Sequence, residues 1–150
     1  METSKLETIF SDALINVVTT VSGFALEVIP RENSTDIDEI AGVMCLSSKK
    51  QGLLIVSAKE NDARLLCSYM IGVFPEEVTA DDIEDAMCEI ANMTAGNAKL
   101  RLSDTDFAFT LSSPFALKGQ NMALTVKSKT FLLSKKLCND EISLNLKFVY

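Results

Sequence analysis

No histidine occurs anywhere in the sequence. That absence removes Ser-His and Cys-His nucleophilic catalysis, histidine general bases and most zinc sites. Neither GxxxxGK[ST] nor GxGxxG is present, so a backbone cradle for nucleotide phosphates is not expected. The apolar runs, such as GLLIVSA at 52–58, are far too short to span a bilayer. The start, METSKLETIF, lacks the basic region and apolar stretch of a signal peptide, and the cytoplasm is the expected compartment. Clustered basic residues are missing as well. With a net charge of −7 the chain is not expected to bind nucleic acid, because neutralising phosphates needs Lys and Arg gathered in one place. The lysine pairs Lys49-Lys50 and Lys135-Lys136 read as turn or strand-edge solvation. Four cysteines, at 45, 67, 88 and 138, form no CxxC and no metal-type spacing; their apolar surroundings read as reduced, buried thiols. Any chemistry must therefore run on carboxylates, amides, hydroxyls or the equipment of a partner.

What is present suits one domain over residues 1–150, with 47% hydrophobic residues to build a core and a surplus for an oligomer interface. Residues 4–22 place Leu6, Ile9, Phe10, Ala13, Leu14, Val17 and Val21 at helical spacing, and Gly23 ends that helix. FALEVIP (24–30) reads as a short strand closed by Pro30, and residues 31–38 as a loop. IAGVMCLSS and GLLIVSA, joined by KKQG, read as a β-hairpin. A second helix covers 59–72. Pro75 sits in a linker, and Thr79 with Asp82 caps a third helix that runs to about 102. DFAFTLSS, a break at Pro114, and NMALTVKSKTFLLS read as strands. In the final ISLNLKFVY, Ile142, Leu144, Leu146 and Phe148 alternate with Ser143, Asn145 and Lys147, which predicts a strand with one wet face.

A helix-then-strand unit is repeated. DALINVVTTVSG (12–23) aligns without gaps against DAMCEIANMTAG (85–96), and FALEVIP and FAFTLSSP follow the two copies. Asn16 and Thr19 stand in the first copy where Glu89 and Asn92 stand in the second.

At 100° per residue, Ile83, Ala86, Met87, Ile90, Met93 and Thr94 share one side of the third helix. Asp82, Asp85, Glu89, Asn92 and Gly96 form a stripe away from it, and Asn97 turns toward the apolar side, where a buried hydrogen-bonding role is expected. Glu89 and Asn92, three residues apart, are neighbours on the surface, and Gly96 leaves room for close approach one turn further on. On spacing alone the pair reads as a solvated polar face or as two groups presented to one object; ExxN has little specificity.

The stretch EDAMCEIANMTAGNAK, with Glu89-x-x-Asn92 and its Gly-Asn-Ala-Lys run, resembles the signature helix of the CheX/CheC/FliY family of chemotaxis-type phosphatases. The resemblance extends upstream to the hairpin from Gly42 to Ser57 and to the helix carrying Ala63 and ending Met70-Ile71-Gly72. Downstream it takes in Ser113-Pro114, so that it covers about residues 5–135. One intact motif looks like CheX more than CheC. The elements and the resemblance together imply an α+β domain, a mostly antiparallel sheet with helices packed on one face.

Members of that family remove the phosphoryl group from the aspartyl phosphate of a CheY-like response-regulator receiver domain. By resemblance, Asn92 orients the attacking water and Glu89 pairs with the receiver's lysine, while Asp85, Glu89, Asn92 and Gly96 form the contact face. The Mg²⁺ is expected in the receiver partner, with no cofactor or metal held by this chain. The resemblance also implies a homodimer paired through its sheets, for which the strands at 121–133 and 142–150 are the expected edges. Two alternatives stay open: a non-catalytic receiver-docking module, and a scaffold role like that of the flagellar-switch relatives.

Overall fold

A computed structural model describes residues 3–30, 34–127 and 131–150. The first helix, α1, is Thr3–Ser22; it buries Leu6, Phe10, Ala13, Leu14, Val17 and Val18. It stops at Gly23, whose φ of +80° lets its N–H donate to the Thr19 carbonyl at 2.9 Å. Short strands β1 (Glu27–Ile29) and β2 (Asp36–Ile37) lead to the hairpin of β3 (Ile40–Ser47) and β4 (Gln51–Ala58). Helix α2 is Glu60–Ile71, and a single 3-10 turn, Pro75–Glu77, joins it to α3, Ala80–Leu102. Then follow β5 (Thr110–Leu111), β6 (Phe115–Lys118), β7 (Met122–Ala123), β8 (Leu132–Cys138) and β9 (Ser143–Val149). The main sheet has the order β1-β8-β9-β4-β3-β5, with β6 also paired to β3, and β2 and β7 form a separate ribbon. Every pairing is antiparallel. The α+β class and the three helices agree with the sequence reading.

The helices share one face of the sheet, and the alternation of β3 shows which. Ile40, Met44 and Leu46 turn toward the helices and join a core with Leu54, Val56, Phe148, Phe10, Met87 and Ile90. Gly42 sits on the same side, directly beneath the backbone of α3. On the other face Ala41, Val43 and Ile55 make a smaller cluster with Ile37, flanked by Met122 and Leu124. The β2–β7 ribbon therefore covers part of the face that the sequence reading left to solvent.

That covering explains the first departure. Lys147 was expected on a wet face, yet it is 1% exposed; it pairs across the sheet with Ile55, and its Nζ donates to Ser134 Oγ at 3.0 Å. The expected edges are also corrected. β9 lies between β8 and β4, so 142–150 offers no free edge, and within 121–133 Met122–Ala123 belongs to the ribbon while 128–130 lie outside the described residues. Among the described residues the sheet edges are β1 on one side and β5 with β6 on the other. β6 follows Pro114 where only a break was expected, β2 falls inside the expected 31–38 loop, and DFAFTLSS contributes only Thr110–Leu111 as strand. The four cysteines are free, as expected, but only Cys67 is buried; Cys45, Cys88 and Cys138 are half-buried. Among the described residues no helix is long and apolar enough to cross a membrane.

Three contacts fix α3. Thr79 and Asp82 form a reciprocal cap: Asp82 N–H donates to Thr79 Oγ1 at 3.1 Å, and Thr79 N–H to Asp82 Oδ2 at 3.0 Å. From α2, Arg64 Nη1 donates to the carbonyls of Pro75 (3.2 Å) and Val78, which pins the linker that leads into α3. Buried Ile83, Met87, Ile90, Ala91, Ala95 and Ala98 then hold the helix on the sheet. A helix anchored along its whole inner face presents its outer face as a rigid ridge.

Candidate functional site

Asp85, Glu89, Asn92 and Gly96 come together because they lie on one face of α3. Asp85 and Glu89 are exposed; Asn92 and Gly96 are half-buried. Asp82, which the helical wheel put on the same stripe, is engaged in the N-terminal cap and is thereby set apart from them. Two carboxylates near the helix are also engaged: Glu84 with Lys118 at 3.3 Å and Asp12 with Arg101 at 3.7 Å. Among the described residues no side-chain hydrogen bond or ion pair engages Asp85, Glu89 or Asn92. Their polar ends are free to meet another molecule.

Gly96 gives an independent sign. A Cβ built at this position meets nothing within 4 Å. Glycine in a helix interior costs about 0.5–1 kcal/mol relative to alanine, and packing within this chain does not account for it. The helix backbone is left open to solvent at that turn.

The thiol of Cys88, next to Glu89 in sequence, is pushed up from its usual pKa, first by burial and then by the negative charges of Asp85 and Glu84. It is held as the neutral thiol, which is a poor nucleophile. Cys67 is raised likewise by burial, and its Sγ lies 3.3 Å from the Asp82 carbonyl as a packed donor. Both shifts disfavour the thiolate, the form in which a cysteine is nucleophilic. Asn97, expected to be buried, is half-buried instead and lines a shallow groove of about 290 Å³ with Asn16, Val17, Thr20, Met93 and Leu100. Asn16, the counterpart of Glu89 in the first repeat copy, is exposed beside that groove, whereas the Thr19 hydroxyl is turned back onto the Ile15 carbonyl at 2.9 Å.

The site is a ridge rather than a cleft. A cavity of about 460 Å³ lies against Leu65, Tyr69, Val73 and Phe74 and includes none of the four stripe residues. A convex helix face cannot surround a small substrate or exclude water from it. Carboxylate and amide so presented can act only on something that brings its own concavity. What the sequence reading missed is Leu100, one turn beyond Gly96 and 80% exposed, which extending the wheel by one turn would have found.

The profile of the family described as chemotaxis phosphatase CheX matches residues 40–134, well over half of the chain. Among solved structures, a CheC-like superfamily protein from Shewanella sp. PV-4 superposes with a TM-score of 0.85 at 21% identity, covering 99% of this chain and 98% of that one. The chemotaxis protein CheX from Vibrio vulnificus gives a TM-score of 0.80 at 20% identity, over 95% of this chain and 93% of its own. A CheX–CheY–BeF3–Mg²⁺ complex from Borrelia burgdorferi contains a chain similar at a TM-score of 0.74 and 18% identity, with 95% of both chains covered. No curated protein sequence matches the chain.

Proposed function

This chain belongs to the CheX family of chemotaxis phosphatases, and from that premise we propose that it hydrolyses the aspartyl phosphate of a CheY-like receiver domain with the outer face of α3. The observation that carries the proposal is the unengaged Glu89–Asn92 pair on a rigid convex ridge, with bare Gly96 one turn beyond it. The receiver supplies the concave half of the site: the phosphoryl group, the Mg²⁺ and a lysine.

The residue types suit the reaction. Phosphoryl transfer through a loose transition state asks mainly for alignment and charge neutralisation, and the metal and lysine of the receiver already neutralise charge. The Asn92 amide is neutral, so it does not repel phosphoryl oxygens as a carboxylate would. It can donate to and accept from one water at once, which holds that water in line with the bond to be broken. The water oxygen bonds to phosphorus, the bond from phosphorus to the aspartate oxygen breaks, and the proton of the water leaves with inorganic phosphate. Glu89 pairs with the receiver lysine and sets the angle of the ridge. Asp85 lies on the same side and adds to the negative potential that meets a cation.

Release of phosphate from a phosphorylated CheY-type receiver, above the receiver's own decay, tests the reading. Glu89→Gln keeps the shape and removes the charge. It is expected to lower kcat/KM about tenfold and to flatten its dependence on ionic strength, because a partly exposed ion pair is screened by salt. An unchanged salt dependence means that Glu89 does not meet a cation.

Gly96→Ala separates stability from function. Since a Cβ there has open space, the variant is expected to melt at a higher temperature, by about 0.5–1 kcal/mol of added stability, while receiver dephosphorylation falls. If both rise together, no partner approaches that turn of the helix.

A further inference from the structure

The proposed face accounts for the polar residues of the ridge but leaves Leu100 unexplained. Among the described residues it is the most exposed of the large hydrophobic ones, at 80%, on a helix whose other large apolar side chains are buried or half-buried. Its position is specific. At 100° per residue Leu100 falls within about 20° of Glu89 and 40° of Gly96, on the same stripe. It also borders the groove between α1 and α3, with Met93 and Val17 as apolar walls and Asn16, Thr20 and Asn97 as polar ones. Isolated exposed leucines are ordinary on protein surfaces. This one is continuous with the site and stands beside the only bare turn of α3.

We propose that Leu100, with the adjoining α1–α3 groove, is the apolar anchor that seats the receiver on the ridge and selects which receiver is accepted. The inference rests on the phosphatase reading of α3. Its occupant is an apolar side chain on the receiver surface beside the phosphorylation site, and geometry favours the receiver over any other partner. Leu100 lies eight positions after Asn92, about 12 Å along the helix and about 80° around it. A standard interface buries about 800 Å² on each side, a disc of about 16 Å radius, so a receiver centred on Asn92 covers Leu100 as well. The ridge is thus bipartite. Asp85 and Glu89 at one end meet positive charge, and Leu100 at the other meets an apolar group, with Gly96 letting the two surfaces close between them. Charge orients the encounter, and the burial of Leu100 slows departure.

The experiment is a split of KM from kcat. Leu100→Ser is expected to raise KM for a phosphorylated CheY-type receiver about tenfold and to leave kcat within about twofold. It should weaken binding to the same receiver activated with beryllofluoride and Mg²⁺ by a similar factor. Leu100→Met should restore both, and the exposed position should leave the melting temperature unchanged. The proposal is overturned if Leu100→Ser keeps the wild-type KM and affinity, or changes only the association of the chain with itself. Failure of the underlying reading looks different: the wild type itself then hydrolyses no receiver; if it also binds none, both ideas fall together, and if it binds without hydrolysis, the affinity of Leu100→Ser alone decides the anchor.

Discussion

Asn92→Ala is expected to lower catalysed dephosphorylation of a receiver by about 10²–10³-fold, nearly to the receiver's own rate of decay. The reason lies in what this chain lacks as much as in what it has. Without histidine, and with Cys88 held as a neutral thiol, Asn92 is the one residue of the Asp85, Glu89, Asn92 and Gly96 face whose side chain can both donate to and accept from a water. Glu89 is acceptor-only when ionised and is directed to the receiver lysine in the proposed geometry. Removal of the amide leaves the docking surface intact, so affinity for the activated receiver should change little. Asn92 is half-buried on the outer face and alanine is the better helix former, so stability should not fall. A loss of rate without a loss of binding or stability is the signature of a group used only in the transition state. Single-turnover decay of the labelled receiver, with saturating variant, measures it.

Gly42→Ala should have the largest effect on the fold. A Cβ at Gly42 lies 2.0 Å from the Met87 carbonyl oxygen, 2.6 Å from its carbon and 3.1 Å from the Ala91 Cβ. The first two are backbone atoms of α3, which cannot rotate away, so the helix must lift from β3. Overpacking of this kind costs about 3 kcal/mol or more. The lifted segment is the turn of α3 that precedes and carries Glu89 and Asn92, so whatever remains folded should also lose phosphatase activity. Urea denaturation monitored by circular dichroism gives the stability change. A variant as stable as the wild type would mean that β3 and α3 are not in backbone contact, and the placement of the ridge would have to be redrawn.

The sequence made α3 legible because every local signal agreed. Thr79 and Asp82 marked its start, its apolar positions recurred at helical spacing, and both features are present in the structure. The β3–β4 hairpin was legible for a similar reason, two apolar runs joined by a short polar turn. What escaped depends on distant chain segments. The two-residue strands β2 and β7 are too short to show a period, and only their ribbon tells which side of the sheet is dry. Lys147 was misjudged on that account: alternation says which face it takes, not what covers that face. The order of strands in the sheet is equally non-local, and β9 reads as an edge until β8 is laid against it. The site was half legible. Glu89-x-x-Asn92 could be placed on one helical face from spacing, but spacing gives a solvated pair as readily as a catalytic one. In the proposed mechanism its chemistry is completed by groups on another protein, and those leave no mark in this sequence beyond an unengaged carboxylate, an unengaged amide and a glycine with empty space above it.

The central claim is that α3 catalyses hydrolysis rather than merely binding a receiver. The most direct measurement is multiple-turnover phosphate release, with a CheY-type receiver kept phosphorylated by a small-molecule phosphodonor and present in large excess over this protein. The account predicts that each molecule of protein releases many phosphates, in proportion to its concentration, and that Asn92→Ala returns the rate to that of the receiver alone. If the protein binds the activated receiver tightly while phosphate appears only at the receiver's own rate, the ridge is a docking surface and the catalytic account is wrong.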